Sequence, residues 1–254
     1  MARRTTQTGA GPYRGLSPEW EKMKASARNL RPQDAVNECA ALSDLFRRRH
    51  RSMSPVQPDF RQIILALQEK KIPFVLTGAH GISTWTGRPR STQDVDILVK
   101  GGRNQARAVK ALRALYPGLE VRNFTGVVAF FVPGERESVL DVTYPHRPDI
   151  EVTLQSDVWV EDQGLRYRIP SLEAALANKY GAMLAADRDA LKRAQDAVDC
   201  YQMVRHSFDE GRKPIDRVHL RILGEMVRPG GGEEMLSLVE QVRSGQVPRI
   251  DPPP

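Results

Sequence analysis

Two acids interrupt a segment that is otherwise typical of a buried β-strand. In TQDVDILV, at residues 92–99, Asp94 and Asp96 are separated by one valine. Side chains alternate along a strand, so both carboxylates project to the same face. Two anions held this close repel each other, and a divalent cation between them removes that cost. Oxygen ligands without His or Cys nearby favour a hard cation, so the spacing predicts a Mg²⁺ or Mn²⁺ site.

A third acid lies in a second strand-like segment, SVLDVTY at 138–144. Asp141 is the single acid in this apolar, β-branched run. If this strand pairs beside 94–99, three carboxylates meet at one edge of a sheet. Three carboxylates can hold two Mg²⁺ ions, the arrangement used for in-line phosphoryl or nucleotidyl displacement. The competing interpretation of each acid alone is a strand-end residue that caps a turn or pairs with an arginine.

Two glycines stand where the preceding strand turns into a helix, in LTGAHG at 76–81. Such a turn exposes backbone N–H groups at a helix N-terminus, where a phosphate can bind, although glycines there most often serve only the turn. The following loop, GRPRST at 87–92, contains Arg88 and Arg90. These arginines could meet a triphosphate or RNA, or they could simply be solvated.

Hydrophobic periodicity predicts the elements that must position these residues. Helical spacing predicts helices at 18–29, 32–49, 59–70, 79–86, 103–115, 172–185, 188–206, 214–227 and 233–243. Short apolar segments predict strands at 72–77, 94–99, 119–124, 127–132, 138–143 and 165–170. Ser171 is a favourable N-cap for the helix that follows the last strand. The layout is therefore helices, then a mixed α/β core, then a helical bundle.

The net charge of +7 is unevenly distributed. Residues 1–55 hold 11 Lys and Arg against 5 Asp and Glu, whereas the remaining residues hold 27 against 26. A positive arm beside a nearly neutral body suits a polyanionic partner such as RNA. The competing interpretation is a solvated, partly disordered extension.

Composition narrows the classes of site and of cellular location that fit the chain. Two cysteines, Cys39 and Cys200, predict free thiols in a reducing compartment, and the five histidines include no i, i+4 pair for a metal. The longest apolar run is too short to span a bilayer, and the first residues lack the apolar core of a secretory signal. We therefore expect a cytoplasmic protein that makes no use of a membrane.

A lysine lies in phase with the apolar stripe of the predicted helix at 172–185. Leu172, Leu176, Lys179 and Met183 follow one another at i, i+4, i+7 and i+11. The stem of a lysine in such a position can snorkel and leave the ammonium in water. We favour the alternative, in which Lys179 reaches inward toward a phosphate.

The ordered combination of these motifs resembles the DNA polymerase β-like nucleotidyltransferase superfamily. The segment GAHGISTWTGRPRSTQDVDILV, at 78–99, is closest to the minimal and abortive-infection (AbiE toxin-like) nucleotidyltransferases, which typically have G-G or G-S and then G-R-x-T-x-D-x-D. Ala79 departs from that pattern because it has no hydroxyl and offers only its N–H. The later acid of the resemblance is Asp141.

The downstream part of this resemblance depends on a lysine and two acids. Lys179, followed by Lys192, Asp196 and Asp199, is similar to the family's lysine and its K-D-x-x-D pattern, although neither Lys192 nor Arg193 directly precedes the first acid. Asp196 and Asp199 could orient the lysine, contact a base or ribose, or be ordinary acids of a helix surface. The resemblance covers about residues 60–205.

The resemblance implies an α+β fold and a division of the chain. A small mixed sheet of the polymerase β-like palm type would form a nucleotidyltransferase core, with a C-terminal helical domain and an N-terminal basic helical extension. We expect the core at 58–170 and the helical domain at 171–245; the partly disordered basic extension at 1–57 and a disordered tail at 246–254 lie outside the resemblance.

The same resemblance implies an activity and a set of residues. The activity is Mg²⁺- or Mn²⁺-dependent transfer of a nucleoside monophosphate (NMP) from a nucleoside triphosphate (NTP) to an acceptor hydroxyl. Asp94, Asp96 and Asp141 would be the catalytic residues and metal ligands. The nucleotide-binding residues would be Gly78, Ala79, Arg88, Arg90, Thr92, Lys179 and Asp196.

The acceptor and the partners stay open at this point. RNA, such as a tRNA end, is the favoured acceptor, and a protein hydroxyl or a small molecule is equally compatible with the acids. A cognate antitoxin-like protein is a candidate partner. The alternative function is a catalytically inactive module of this fold that binds RNA or a protein.

Overall fold

The computed structural model describes residues 58–248, except 88–91, 93 and 163. The predicted extension at 1–57, with its two helices, lies outside the described residues, as do Arg88, Arg90 and residues 249–254 of the predicted tail. None of the helices in the described ranges is both long enough and apolar enough to cross a membrane.

Helices and strands alternate through the first part of the described chain, and helices alone form the last part. The helices are α1 (Phe60–Glu69), α2 (Gly78–Thr86), α3 (Gly101–Leu115), α4 (Pro148–Gln155), α5 (Leu172–Leu184), α6 (Ala190–Ser207), α7 (Arg217–Val227) and α8 (Gly231–Arg243). The strands are β1 (Phe74–Leu76), β2 (Val95–Val99), β3 (Glu120–Phe124), β4 (Val127–Phe131), β5 (Ser138–Thr143), β6 (Asp157–Asp162) and β7 (Leu165–Pro170).

Five strands form one mixed sheet in the order β1-β2-β5-β4-β3. β2 and β5 run parallel, and the other three neighbouring pairs are antiparallel. β6 and β7 form a separate antiparallel ribbon that packs beside β1. The predicted α+β class with a small mixed sheet is confirmed.

The interior strand β2 separates an apolar face of the sheet from a polar one. Val95, Ile97 and Val99 lie in a buried cluster with the apolar faces of α1 and α3. Because side chains alternate along a strand, Asp96 and Leu98 point to the opposite face, where they line a cleft. The strand thus supplies core on one side and functional side chains on the other.

The last four helices enclose a second buried cluster. Its centre is α5, which has ten buried residues among 13 and packs against α4, α6 and α7. Ser171 caps α5 as predicted, because its hydroxyl oxygen accepts a hydrogen bond from the Ala174 N–H. Cys200, in α6, is a buried free thiol. The proposed domain boundary at 170 and 171 stays a prediction.

Two elements, α4 and β6, were not predicted from the sequence. α4 has only eight residues, but Pro148 at its start, with Asp149 and Glu151 in the first turn, is a recognisable N-terminal signal. β6 pairs with β7 alone, outside the main sheet, and its two terminal acids obscure its alternation.

The predicted start of the last helix, at residue 233, needs a correction. α8 begins at Gly231, two residues earlier than predicted, so two of the glycines belong to its first turn. A Cβ on Gly231 would lie 2.3 Å from the carbonyl oxygen of Gly224 in α7. The glycines are therefore required because the two helix backbones meet there. α6 and α7 begin later than predicted, directly after the N-caps Asp189 and Asp216.

Candidate active site

Three carboxylates converge at the polar face of the sheet. The parallel pairing of β2 and β5 places Asp96 directly opposite Asp141, and Asp94 lies one residue before β2. One oxygen atom from each of the three residues lies within 4.8 Å of the others. A one-residue slip of this pairing would turn Asp141 to the opposite face of the sheet, away from Asp94 and Asp96.

A glycine turn lies against this carboxylate cluster. Gly78 begins α2 with a positive φ of 60°, and a Cβ built on it would lie 1.7 Å from Asp96 Oδ2. Thr77 fixes the approach, because its N–H donates to the Asp96 carbonyl oxygen at 2.9 Å. The side chain of Thr77, the N-cap residue of α2, makes no capping hydrogen bond to the first N–H groups of the helix. These amides are thus available beside the acids for an anionic ligand.

Thr92 stabilises the first acid of the cluster. Its hydroxyl donates a short hydrogen bond to Asp94 Oδ1. Thr92 is itself buried although it lies in a segment without regular structure. The contact fixes the orientation of the Asp94 carboxylate before any ligand arrives.

Asp141 is the most perturbed member of the cluster. Burial, and after it the negative charge of Asp94, raise the pKa of Asp141 to about 6. Its Oδ1 atom is buried and accepts no hydrogen bond from the described residues. An orphaned carboxylate oxygen beside two further carboxylates is the donor set that a hard divalent cation such as Mg²⁺ or Mn²⁺ requires. The residues present therefore fit the metal that the sequence predicts.

Lys179 lies on the helical wall of the same cleft and is held by two acids. Its Nζ atom is 2.8 Å from Asp196 Oδ1 and 2.8 Å from Asp199 Oδ2. Burial of the ammonium opposes its charge, but the carboxylates of Asp199 and Asp196 outweigh that cost and raise the pKa of Lys179. The lysine therefore stays charged in the interior, and the interpretation in which it snorkels into water is wrong.

Asp196 is shared between this lysine and an arginine. Arg188 donates from Nε to Asp196 Oδ2 at 2.8 Å and from Nη2 to Asp196 Oδ1 at 3.1 Å. Gln195 in turn donates to Asp199 Oδ1 at 2.9 Å. Asp196 and Asp199 are buried, so the interpretation of both as ordinary acids of a helix surface is also wrong. Their position fits the alternative in which they orient the lysine.

One cleft of about 450 Å³ brings most of the predicted site residues together. Its lining includes Gly78, Ala79, Thr92, Asp94, Asp96, Asp141, Lys179 and Asp196. Arg88 and Arg90 lie outside the described residues. The cleft thus joins the carboxylates of the sheet to the cationic wall of the helices.

Several residues of the cleft were not singled out from the sequence. Arg147 lines its far end and pairs with the buried Asp149 through two hydrogen bonds, the shorter 2.8 Å long. Asn178 lies nearby and donates to the Asp149 carbonyl oxygen at 3.0 Å. The missed helix α4 explains why Arg147 and Asp149 were overlooked. Arg188 was placed in the helix predicted at 188–206, but it lies in the turn between α5 and α6.

The family of the chain follows from a comparison with models of protein families. Residues 62–228 match the family described as nucleotidyl transferase AbiEii toxin, type IV toxin–antitoxin system. The match covers well over half of the 254 residues, so the chain is a nucleotidyltransferase by descent and belongs to the AbiEii toxin family. The resemblance inferred from the acid and glycine motifs is confirmed. No curated protein matches the chain.

Solved structures show more distant likenesses. An antigenic nucleotidyltransferase-like protein from Paracoccidioides brasiliensis is 17% identical, covering 85% of this chain and 95% of its own, with a TM-score of 0.44. The antibiotic-resistance factor ANT(2'')-Ia is 14% identical over 74% of this chain and 96% of its own, with a TM-score of 0.42. The Thermotoga maritima CCA-adding enzyme, complexed with tRNA, is 13% identical over 81% and 54%, with a TM-score of 0.33. These scores are low, and the family assignment rests on the family match.

Proposed function

We propose that this protein transfers an NMP from an NTP to a hydroxyl of an RNA acceptor, with Mg²⁺ or Mn²⁺ bound at the carboxylate cluster. One observation carries the proposal: Asp94, Asp96 and Asp141 converge beside an uncapped helix N-terminus in a cleft. This arrangement and the family match favour the transferase over the inactive binding module.

The three acids are proposed to hold the metal and to position the reacting groups. Asp94, one residue before β2, and Asp96, in β2, would bind it from one side, and Asp141 would bind it from β5 through its orphaned oxygen. Divalent ions bound there neutralise charge on the triphosphate and lower the pKa of the attacking hydroxyl. Asp141, whose pKa is raised to about 6, is the proposed acceptor of that hydroxyl proton.

The triphosphate is proposed to lie between the α2 turn and the helical wall. The first N–H groups of α2, at Gly78 and Ala79, donate to its oxygens. An ammonium has three N–H donors, and Lys179 spends two of them on Asp196 and Asp199, which leaves one for a phosphate. Lys192, which also lines the cleft, adds a second positive charge. Arg88 and Arg90 stay proposed phosphate or RNA ligands.

The proposed reaction balances as a single displacement. The acceptor oxygen forms a bond to the α-phosphorus, and the bond from that phosphorus to the bridging oxygen of the pyrophosphate breaks. Pyrophosphate leaves with its negative charge spread over the cationic groups and amides of the cleft. The hydroxyl proton passes to Asp141. The products are an NMP-extended acceptor and pyrophosphate.

RNA is the proposed acceptor because of the charge of the chain. The first 55 residues carry 11 basic residues against 5 acidic ones, which suits a polyanion. Membership of a toxin–antitoxin family supports a cognate antitoxin as a second partner. We also propose a cytoplasmic location, because NTPs and RNA are available there.

The test is incubation of the protein with each α-phosphate-labelled NTP, Mg²⁺ and total cellular RNA. We expect label in an RNA fraction, release of one pyrophosphate per NMP incorporated, and no incorporation in the presence of a chelator. Label in protein or in a small molecule would support NMP transfer but reject RNA as the acceptor. Absence of label from every fraction, with all four NTPs and either metal, would reject the transferase.

A further inference from the structure

The outer face of α3 carries five cations and no acid. We call Lys100, Arg103, Arg107, Lys110 and Arg113 the basic stripe. No Asp or Glu occurs between Asp96 and Glu120, and all five side chains of the basic stripe are exposed. The charge count places the excess of positive charge in the first 55 residues. The concentration of cations on α3 becomes visible only in the structure.

The cations lie on one side of the helix. At 3.6 residues per turn, Arg103, Arg107 and Lys110 fall within an arc of roughly 60°. The opposite side of α3 is fixed by the buried residues Ala108 and Leu112. The row from Arg103 to Arg113 is about 15 Å long, which matches four to five phosphates along one strand of a duplex.

Apart from Arg113, which lies in the last turn where the helix dipole favours positive charge, and Arg107, which bonds the Lys70 carbonyl oxygen, the fold gains little from this charge pattern. Lys100 and Arg103 lie at the start of α3, where the helix dipole disfavours positive charge, and no acid is present in the first turn. Like charges at i and i+3 or i+4 repel by about 0.2–0.5 kcal/mol per pair. None of the ion pairs within the described ranges includes a residue of the basic stripe. The described residues therefore leave most of these charges to solvent or to a ligand.

The acids on neighbouring elements do not compensate the basic stripe either. Glu69, at the end of α1, pairs with Lys70, and Glu120, at the start of β3, pairs with Arg122. The guanidinium of Arg107 donates a hydrogen bond to the Lys70 carbonyl oxygen at 2.8 Å. Arg107 therefore has a contact that contributes to the fold.

The exposed residues between the cations have small side chains, and this composition indicates the kind of partner. The exposed residues of α3 that separate the cations are Gly102, Ala106 and Ala114. A protein interface normally contains aromatic or large aliphatic anchors, and the exposed face of α3 has none. A groove of about 440 Å³ runs alongside, and its lining combines Lys110, Arg113 and Asn123 with Gln105 and the small apolar residues Ala106, Val109 and Val128. Cations and amides without an apolar anchor are typical of contacts to a phosphate backbone.

We propose that the basic stripe binds the phosphate backbone of the acceptor RNA. The proposal rests on the proposed RNA acceptor and adds a docking surface to it. α3 packs on β2 and β5, on the face of the sheet opposite Asp96 and Asp141. The basic stripe therefore does not touch the NTP, and its loss weakens RNA binding without changing NTP binding.

The test variant is R103Q/K110Q/R113Q in the full chain. Arg107 is kept because of its contact with the Lys70 carbonyl oxygen. Binding of a fluorescent RNA hairpin is measured by anisotropy without NTP, at several KCl concentrations. Each lost phosphate contact reduces the salt slope by about 0.7–0.9, so we expect a total loss of about 2 to 3 and an affinity about 30-fold weaker at low salt.

The matched control is R217Q/R221Q/R243Q, which removes the same charge from α7 and α8. These three arginines are exposed and each is paired with Glu240 or Glu233. The basic N-terminal arm is identical in both variants, so the difference between them reports the basic stripe alone. We expect the control to lose less than about 1 unit of salt slope.

The outcomes separate this proposal from the proposed function. Equal salt slopes in the two variants would overturn the docking surface, whatever the transfer assay shows. Binding of fluorescent polyglutamate is measured in the same way. If R103Q/K110Q/R113Q loses binding to polyglutamate but binds the RNA hairpin as wild type does, the partner is an acidic protein and the proposal is overturned. If RNA binds through the basic stripe but takes up no label with any NTP, the docking surface stands and the proposed function fails.

Discussion

Two groups of carboxylates line the cleft, and their charges are compensated differently. On the helical side, Asp196 is bound by both Lys179 and Arg188. On the sheet side, Asp141 has a buried oxygen that accepts no hydrogen bond from the described residues, and Asp94 lies close enough to raise its pKa. The helical group is complete as the chain folds, whereas the sheet group needs a ligand.

This difference indicates different roles for similar residues. A buried charge with a close partner costs little to keep and much to unpair, so the helical group stabilises the fold and fixes Lys179. Mutual repulsion in the sheet group, which raises the pKa of Asp141, costs stability in the free protein, and a bound cation recovers it. Removal of an acid should therefore have opposite effects on stability in the two groups.

The largest effect is expected from Asp141→Asn. Loss of a metal ligand removes several kcal/mol of transition-state stabilisation, so NMP transfer falls about 1,000-fold, or roughly 4 kcal/mol. Folding raises the pKa of Asp141, so its charge destabilises the folded state at neutral pH, and the variant unfolds no earlier than wild type in a chelator. Transfer assays and denaturant titration check both effects; a variant that is inactive because it unfolds breaks the comparison.

The next effect is expected from Asp196→Asn, in the compensated group. This change leaves the buried Lys179 and the guanidinium of Arg188 with one carboxylate fewer, so the free energy of unfolding falls by about 3 kcal/mol. Glu240→Gln is the control, because it removes an acid from an exposed pair with Arg217 and should cost less than about 1 kcal/mol. Equal losses of unfolding free energy in both variants would show that the buried network stabilises the fold no more than an exposed ion pair does.

A smaller effect is expected from Gly78→Ala, which displaces the sheet group without removing a charge. The new Cβ would lie 1.7 Å from Asp96 Oδ2 at a positive φ, so the carboxylate must move. A displacement of about 1 Å at a reacting centre can cost about 100-fold in rate. Gly102→Ala, at a helical position with open space, should keep full activity. Rates for both alanine variants above half that of wild type would contradict the proposed contact.

The smallest effect is the stabilisation by metal. Mg²⁺ at ten times its dissociation constant should raise the free energy of unfolding by about 1.4 kcal/mol, because the ion binds only the folded cluster. The shift should persist in Glu240→Gln and vanish in Asp141→Asn. Thermal unfolding with and without Mg²⁺ measures it, and a shift that persists without Asp141 would locate the ion elsewhere.

The sequence was most informative where a local rule acts. Strand alternation places Asp94 and Asp96 on one face, and Ser171 caps α5 because the hydroxyl needs only a neighbouring N–H. The apolar run around Asp141 predicts a buried strand by the same local rule. These features depend on residues within a few positions of one another. The pairing of that strand beside β2 joins distant residues and could be stated only as a condition.

Contacts between distant elements could not be predicted in the same way. The partners of Lys179 lie 17 and 20 residues away on α6, and nothing in the periodicity of α5 specifies them. Gly231 lies outside the helix predicted at 233–243, because its place in α8 depends on close contact with the backbone of α7. The basic stripe on α3 was hidden by the nearly neutral average charge of residues 56–254.

The most direct test of the account is a measurement of Mg²⁺-dependent pyrophosphate release in wild type and in Asp94→Asn/Asp96→Asn. We expect release by wild type only when both NTP and RNA are present, and none above background in a double variant that retains its helical circular dichroism. Release by that variant at the wild-type rate would contradict the assignment of the sheet carboxylates as the catalytic metal site.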